Sequence, residues 1–340
     1  MSADCALITA LSKELDRLRF HFRHSKPIYI GTNTYFETMS PSGLALVGAV
    51  CHGMGQLNAA TLTMNVITKY QPKTIILVGI AGGLERRIAL GDVVVSSQIV
   101  DYELGKVTPD GLDIRWSVYP VDTRLLNKVH NYRNSSWIDY IRTSRPTSRN
   151  DAAKPSSHVG LYLSGNKVIA DEKTAGALRS FWKRSVAIDM EAAGIATVLR
   201  QVEDPPGFIV MKGICDYADS SKNDDWQTYA ADAAASFAYS FVTDSLTPQD
   251  FIWPHRQTRA KPSLSQREGL RVTLGEVYNI SELRVLCFDL GIDWDEIAGE
   301  RKSERIADLL GYCERHKRLP DLMAKVNRDH NNILAAYAPQ

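Results

Sequence analysis

Over residues 1–246, short apolar runs of strand length alternate with longer stretches of helical spacing. The runs over 5–10, 44–50, 74–78, 91–97, 159–163 and 208–214 read as strands. Those over 11–22, 57–69, 190–202 and 226–246 read as helices, the first with Leu11, Leu15 and Leu18 on one face and the last an Ala-rich run suited to close packing on a sheet. Strands and helices in alternation imply an α/β domain on a largely parallel sheet. In such sheets ligands collect outside the carboxyl ends of the strands. The stretch SVAIDMEAAGIATVLRQVEDPPGFIVMKGICDYAD, 185–219, puts Glu191 and Asp216 each just after a strand-like run, hence at one edge of the sheet. A carboxylate in a partly dry cleft there can have its pKa moved to suit proton transfer.

The chain is longer than one core usually grows, so 340 residues imply a large domain and a smaller one. A formal charge of +1 supplies no field that selects nucleic acid or a membrane surface as partner, and 44% hydrophobic content fits a soluble globular protein. The five cysteines have no CxxC or metal-ligand spacing and read as free thiols in a reducing compartment. The opening MSADCALITALSKE lacks a basic region before a long apolar core, and no run reaches membrane-spanning length, so a cytoplasmic location is expected.

Several features stay open on spacing alone. Glu14 falls in the first turn of the 11–22 helix, where the macrodipole favours an acid whether or not it has a further task. The glycines of VGIAGGL, 78–84, suit either close approach to a ligand or a tight turn. They are not a dinucleotide fingerprint. SGNKVIAD, 164–171, is a second glycine turn at a strand end, and Lys106 sits in DYELGKVTPDG, which reads as an exposed loop. The Arg-, Ser-, Asn- and Pro-rich segment 131–157 reads as a mobile insertion without chemistry.

Composition changes at Thr247. Residues 247–265 carry three prolines and a basic bias and read as a linker. Over 266–335 strand signals vanish, and Leu283, Leu286, Cys287 and Leu290, then Ile306, Leu309, Leu310 and Cys313, then Leu319, Leu322, Met323 and Val326 keep helical spacing. A small all-α bundle is expected, with no catalytic cluster and an interaction role.

At VGIAGGL, SGNKVIAD, AIDMEAAGIA and KGICDYAD the chain resembles the nucleoside phosphorylase and nucleosidase superfamily, most closely its 5′-methylthioadenosine/S-adenosylhomocysteine nucleosidase branch, over roughly residues 4–246. The resemblance implies a three-layer, mixed and largely parallel sheet, a homodimer or higher oligomer, and cleavage between a purine and its ribose without metal or cofactor. By the same resemblance Asp216 protonates N7 of the leaving purine, Glu191 holds the ribose hydroxyls with Met190 under the sugar, and Glu14 orients and deprotonates the attacking water. Val168 and Ile169 line the base, with Ala81 and Gly82 as backbone beside it, and Trp226 aligns near an aromatic lid. Such carboxylates would stabilise a ribosyl cation-like transition state in a water-poor site.

Two departures from the family pattern bear on substrate. The arginine by which phosphorylases cradle phosphate is missing from LVGIAGG, which favours water over phosphate as nucleophile, whereas Ile80 replaces a polar residue common at that place in nucleosidases and so takes away a second anchor for the water. Lys106 and Lys212 fall where a nucleosidase pocket is apolar or carries an arginine; if both point inward they favour a 5′-phosphate or triphosphate, with a nucleotide such as ATP as substrate. Housekeeping cleavage of methylthioadenosine or S-adenosylhomocysteine, phosphorolysis, and a non-catalytic nucleotide sensor are the alternatives. Residues 266–330, at the Cys-Phe-Asp-Leu-Gly and Arg-Leu-Pro-Asp-Leu runs, resemble effector-associated, death-like domains of bacterial conflict systems. That implies a protein partner with a like domain, such as a protease, ATPase or sensor, and an effector role in antiphage defence.

Overall fold

A computed structural model describes residues 2–22, 25–109, 111–146, 154–220, 224–251 and 266–330. The chain divides into two compact units, Met1–Ile252 and Trp253–Gln340. The first unit runs β1 (Cys5–Thr9), α1 (Ser12–His21), β2 (Lys26–Ile30), β3 (Asn33–Met39), β4 (Ala45–Val50), α2 (Gln56–Tyr70), β5 (Thr74–Gly83), β6 (Val93–Asp101), β7 (Gly105–Thr108), β8 (Gly111–Ile114), β9 (Ser117–Pro120), α3 (Thr123–Asn131), a 3-10 turn (Ser136–Tyr140), β10 (Ser157–Ser164), α4 (Glu172–Phe181), β11 (Ser185–Asp189), α5 (Ala192–Leu199), β12 (Gly207–Asp216), α6 (Gln227–Ser245) and α7 (Pro248–Phe251).

Ten strands form one sheet in the order β11-β10-β6-β12-β5-β1-β4-β3-β2, with β9 paired to β6, while β7 and β8 make a separate hairpin. β1 pairs in parallel with β4 and β5, and β5 in parallel with β12. β6 meets β12 antiparallel, so the sheet is mixed, as expected. Side chains alternate across β1: Ala6 and Ile8 pack with Leu62 and Val66 of α2 and Ile195 of α5, whereas Cys5 and Leu7 pack in the layer of Leu18 of α1 and Phe237 of α6. Three layers result, and the central strands are apolar on both faces because helices cover both.

Two glycines set how closely the helices approach. A Cβ at Gly213 of β12 would lie 2.1 Å from the Ala230 carbonyl oxygen of α6, and one at Gly194 of α5 would lie 2.2 Å from the Gln56 carbonyl oxygen of α2. The VGIAGGL segment is not a turn. β5 continues through it to Gly83, and β11 folds back to pair with it antiparallel, Ile188 opposite Gly82 and Ala187 opposite Gly83. A Cβ at Gly83 would sit 2.9 Å from Ile214, so this curling of the sheet depends on a residue without a side chain.

Three further expectations are corrected. The described part of 131–157 is packed structure: Trp137 is buried against Phe237, and Tyr132 meets Phe237 and Phe241 edge-on, because the aromatic content of this segment gives it a core face that its polar composition conceals. Lys106 lies on the β7–β8 hairpin rather than in a loop. The start of the expected linker is α7, whose Phe251 is buried and whose Asp250 pairs with Lys128 at 2.8 Å; residues 252–265 lie outside the described set.

In the second unit α8 (Gln266–Val277), α9 (Ile280–Asp289), a 3-10 turn (Trp294–Glu296), α10 (Lys302–Arg315) and α11 (Leu319–Asp329) surround Leu283, Leu286, Cys287, Leu310, Cys313 and Val326, the apolar positions picked out by helical spacing. Asn279 caps α9 by accepting from the Glu282 amide at 2.9 Å while Glu282 accepts from the Asn279 amide. No described helix is long and apolar enough to cross a membrane.

Candidate active site

The carboxyl ends of β1, β4, β5, β10, β11 and β12 open on one cavity of about 350 Å3, lined among others by Glu14, Ile80, Ala81, Gly82, Val168, Ile169, Met190, Glu191 and Asp216. Glu14, Glu191 and Asp216 come from distant segments and are each at most 4% exposed.

Glu14 occupies the third position of α1 and folds back on the turn that starts the helix. Its Oε2 accepts from the amides of Ala10 and Leu11, both at 2.8 Å, and Oε1 accepts from Ile80 N at 2.8 Å. Gly79 makes the room: a Cβ there would fall 2.3 Å from Oε1. Burial pushes this carboxyl above the usual carboxylate range, against the lowering effects of the Lys212 ammonium and the backbone donors. Ile80 therefore contributes through its backbone, which explains how an apolar residue fits here.

Glu191 stands at the N-terminus of α5. Its Oε1 accepts from Gly55 N at 3.1 Å and its Oε2 from Lys212 Nζ at 2.7 Å. Burial works to raise its pKa, but Lys212 and the donors prevail and hold it below the ordinary value. Lys212 also lies 2.9 Å from Asp189 Oδ2. Although burial disfavours its charge, the carboxylates of Asp189, Glu191 and Glu14 hold it protonated. Burial raises the carboxyl of Asp189 in spite of Lys212.

Asp216 ends β12 at a register shift against Gly82. Its Oδ1 accepts from Ala218 N at 2.8 Å, a tight turn that places Ala218 at φ +56°, and the Cys215 thiol donates to Oδ2 at 3.2 Å. Gly82 borders the same acid, since a Cβ there would lie 3.1 Å from Oδ1.

The other sequence-derived candidates divide. Val168, half exposed, and Ile169 form one wall, and Met190 lies beside Glu191. Lys212 does not line the cavity, and its ammonium is bound to two carboxylates, so it positions Glu191 instead of meeting a phosphate. Lys106 is exposed on its hairpin and also does not line the cavity. Trp226 packs edge-on against Tyr229 beneath Gly91, and the following residue, Gln227, takes the place at the wall. Lys13, Met54, Lys167, Asp189 and Cys215, which the sequence does not single out, also stand on the wall. Lys13 adjoins Glu14, and Lys167 and Asp189 lie inside quoted motifs, so proximity was the available signal.

Residues 4–245 match the phosphorylase superfamily, and residues 270–329 match effector-associated domain 7. The 5′-methylthioadenosine/S-adenosylhomocysteine nucleosidase of Bacillus subtilis (strain 168) is 26% identical over 238 residues, 67% of this chain and 92% of that protein. Among solved structures, the 5′-methylthioadenosine/S-adenosylhomocysteine nucleosidase of Neisseria meningitidis in complex with methylthio-immucillin-A is similar at a TM-score of 0.56 and 22% identity, covering 70% of this chain and 98% of that one. Futalosine hydrolase of Helicobacter pylori strain 26695 is similar at a TM-score of 0.56 and 18% identity, covering 70% and 96%. At these identities the solved structures share the fold with this chain.

Proposed function

Since the chain belongs to the phosphorylase superfamily, we propose that its cavity hydrolyses the bond between a purine and its ribose, with adenine nucleosides or nucleotides, ATP among them, as substrates. The observation that carries this reading is the convergence of Glu14, Glu191 and Asp216 on one cavity. Glu191, kept ionised by Lys212, accepts hydrogen bonds from the ribose hydroxyls. Asp216 shares a proton with N7 of the base, so the purine leaves neutral as the C1′–N9 bond breaks. Glu14, whose raised pKa suits a base better than an ordinary carboxylate, takes a proton from water as the water oxygen bonds to C1′. Base, sugar and water are each met by one acid, and the products are free purine and ribose or ribose phosphate.

Water is favoured over phosphate because the described wall carries no arginine, and its two lysines, Lys13 and Lys167, share it with four acids, Glu14, Asp189, Glu191 and Asp216. An inorganic phosphate dianion would enter against those carboxylates.

The second unit supports an effector role. It matches effector-associated domain 7, and Val285 and Phe288 of α9 are 58% and 81% exposed, which suits docking on a partner that carries a like domain, with nucleotide depletion in antiphage defence as the outcome. A homodimer or higher oligomer completes the proposal. The test is chromatographic detection of free adenine from adenosine, methylthioadenosine, S-adenosylhomocysteine, AMP and ATP, with and without phosphate. Adenine in phosphate-free buffer, lost in Asp216→Asn, is the expected result, and no base release from any of the five removes the reading.

A further inference from the structure

Resting on the hydrolase reading, we infer that Lys13, oriented by Gln227, recognises a phosphate on the 5′ carbon of the substrate. Val168 and Ile169 follow β10, Asp216 ends β12, and Lys13 and Gln227 stand at the first turns of α1 and α6, all on the wall of the same cavity. With the base against Val168, Ile169 and Asp216 and the ribose hydroxyls on Glu191, the sugar's remaining arm, its 5′ carbon, meets the wall made by Leu11, Lys13, Met54 and Gln227.

The lysines near the cavity differ in what neutralises them. Lys212 is held by Asp189 and Glu191, and Lys167 by Glu103. Lys13 donates to the side-chain oxygen of Gln227, a neutral group, and makes no ion pair among the described residues. Gln227 in turn donates from its amide nitrogen to Asp224, which fixes the amide with its oxygen toward Lys13. Of the two lysines on the wall, then, Lys13 is the one whose charge is not matched by a carboxylate.

Its position is also locally unfavourable. Lys13 is the second residue of α1 and its partner Gln227 the first of α6, so a cation stands where two helices present their positive ends. A phosphate dianion in reach of that ammonium reverses the sign of both interactions, and charge-assisted hydrogen bonds are the stronger kind. The same chemistry in free inorganic phosphate would make the anion a co-substrate, and the experiment separates the two.

Initial rates of adenine release from AMP and from adenosine give the ratio of their kcat/KM values for the full chain, for Lys13→Gln and for Lys13→Arg. The ratio is expected to exceed one by at least about tenfold in the native chain, to fall by at least about tenfold in Lys13→Gln, and to stay within about threefold in Lys13→Arg. An unchanged ratio in Lys13→Gln overturns the inference. So does acceleration of adenosine cleavage by inorganic phosphate that Lys13→Gln removes. If Lys13→Gln fails to fold, Gln227→Glu, which supplies a carboxylate to Lys13, is expected to lower the ratio in the same way, and an unchanged ratio again overturns it. Calorimetric binding of AMP and adenosine to Asp216→Asn, with and without Lys13→Gln, needs no turnover. Lack of adenine from every substrate would sink the hydrolase reading, while this arm still decides Lys13: a preference for AMP that vanishes with Lys13→Gln supports its role, and equal affinities exclude it.

Discussion

The Lys212 ammonium lies 2.7 Å from Glu191 Oε2, and neither side chain is more than 5% exposed. The lysine is the counter-charge for a pair of acids, since Asp189 Oδ2 lies 2.9 Å from the same nitrogen. Lys212→Met leaves buried carboxylates without a cation and is expected to cost about 3–5 kcal/mol of stability. Urea unfolding of the variant beside the native chain measures it, and a loss below about 1 kcal/mol would show that other groups neutralise the acids.

The acids titrate in opposite directions. The Glu14 pKa is raised, so its protonated form is favoured in the folded chain; its contribution to stability is fully present below the ordinary Glu pKa and is lost as pH rises through the folded value. The Glu191 pKa is lowered, so its contribution is present above the ordinary value and is lost as pH falls through the folded value. Since Glu14 must be ionised to serve as the proposed base, kcat should rise with pH along a limb whose midpoint lies above the ordinary Glu range. Glu14→Gln should remove that limb and lower kcat by about 10²–10⁴-fold, as read from a pH–rate profile of adenine release.

The contact between β12 and α6 leaves no room for a methyl group at Gly213. Gly213→Ala must push the Ala230 carbonyl away and is expected to destabilise by about 1–3 kcal/mol. Because α6 begins at Gln227, the shift should also raise KM. Thermal unfolding together with steady-state kinetics tests both; a variant unaltered in each would mean that the helix yields without cost.

Trp137 is 3% exposed and meets Phe237 at a ring-centroid distance of 5.5 Å. Trp137→Ala empties a large core position and should cost about 3–5 kcal/mol. A chemical-denaturation midpoint close to that of the native chain would return the 131–146 segment to the status of a dispensable insertion.

The α/β class, the helical second unit and the place of Glu191 and Asp216 are legible in the chain because each leaves a local mark, whereas Glu14 stays open on spacing alone and is singled out only by the family resemblance. Burial on both faces of the sheet gives the apolar runs of β1, β5 and β12, and amphipathic spacing marks Leu309, Leu310 and Cys313. Glu191 and Asp216 each follow such a run, so their place at a sheet edge needs no tertiary knowledge. The packing of the segment with Trp137 is hidden in the sequence because its Arg, Ser and Asn outnumber the few aromatics that anchor it. The different places of Lys106 and Lys212 are not legible in the chain, because adjacency to motifs says nothing about where an ammonium ends.

By itself the order of residues determined which strands and helices form and which carboxylates stand at strand ends, since hydrophobic periodicity and glycine placement act over a few residues at a time. Only the tertiary structure decided which cation reaches the cavity. The return of β11 onto β5 and the close approach of α6 to β12 bury Lys212 between acids and bring Lys13 to Gln227. Electrostatic partners across a cavity are set by the distances between chain segments, and sequence neighbours carry no record of those distances.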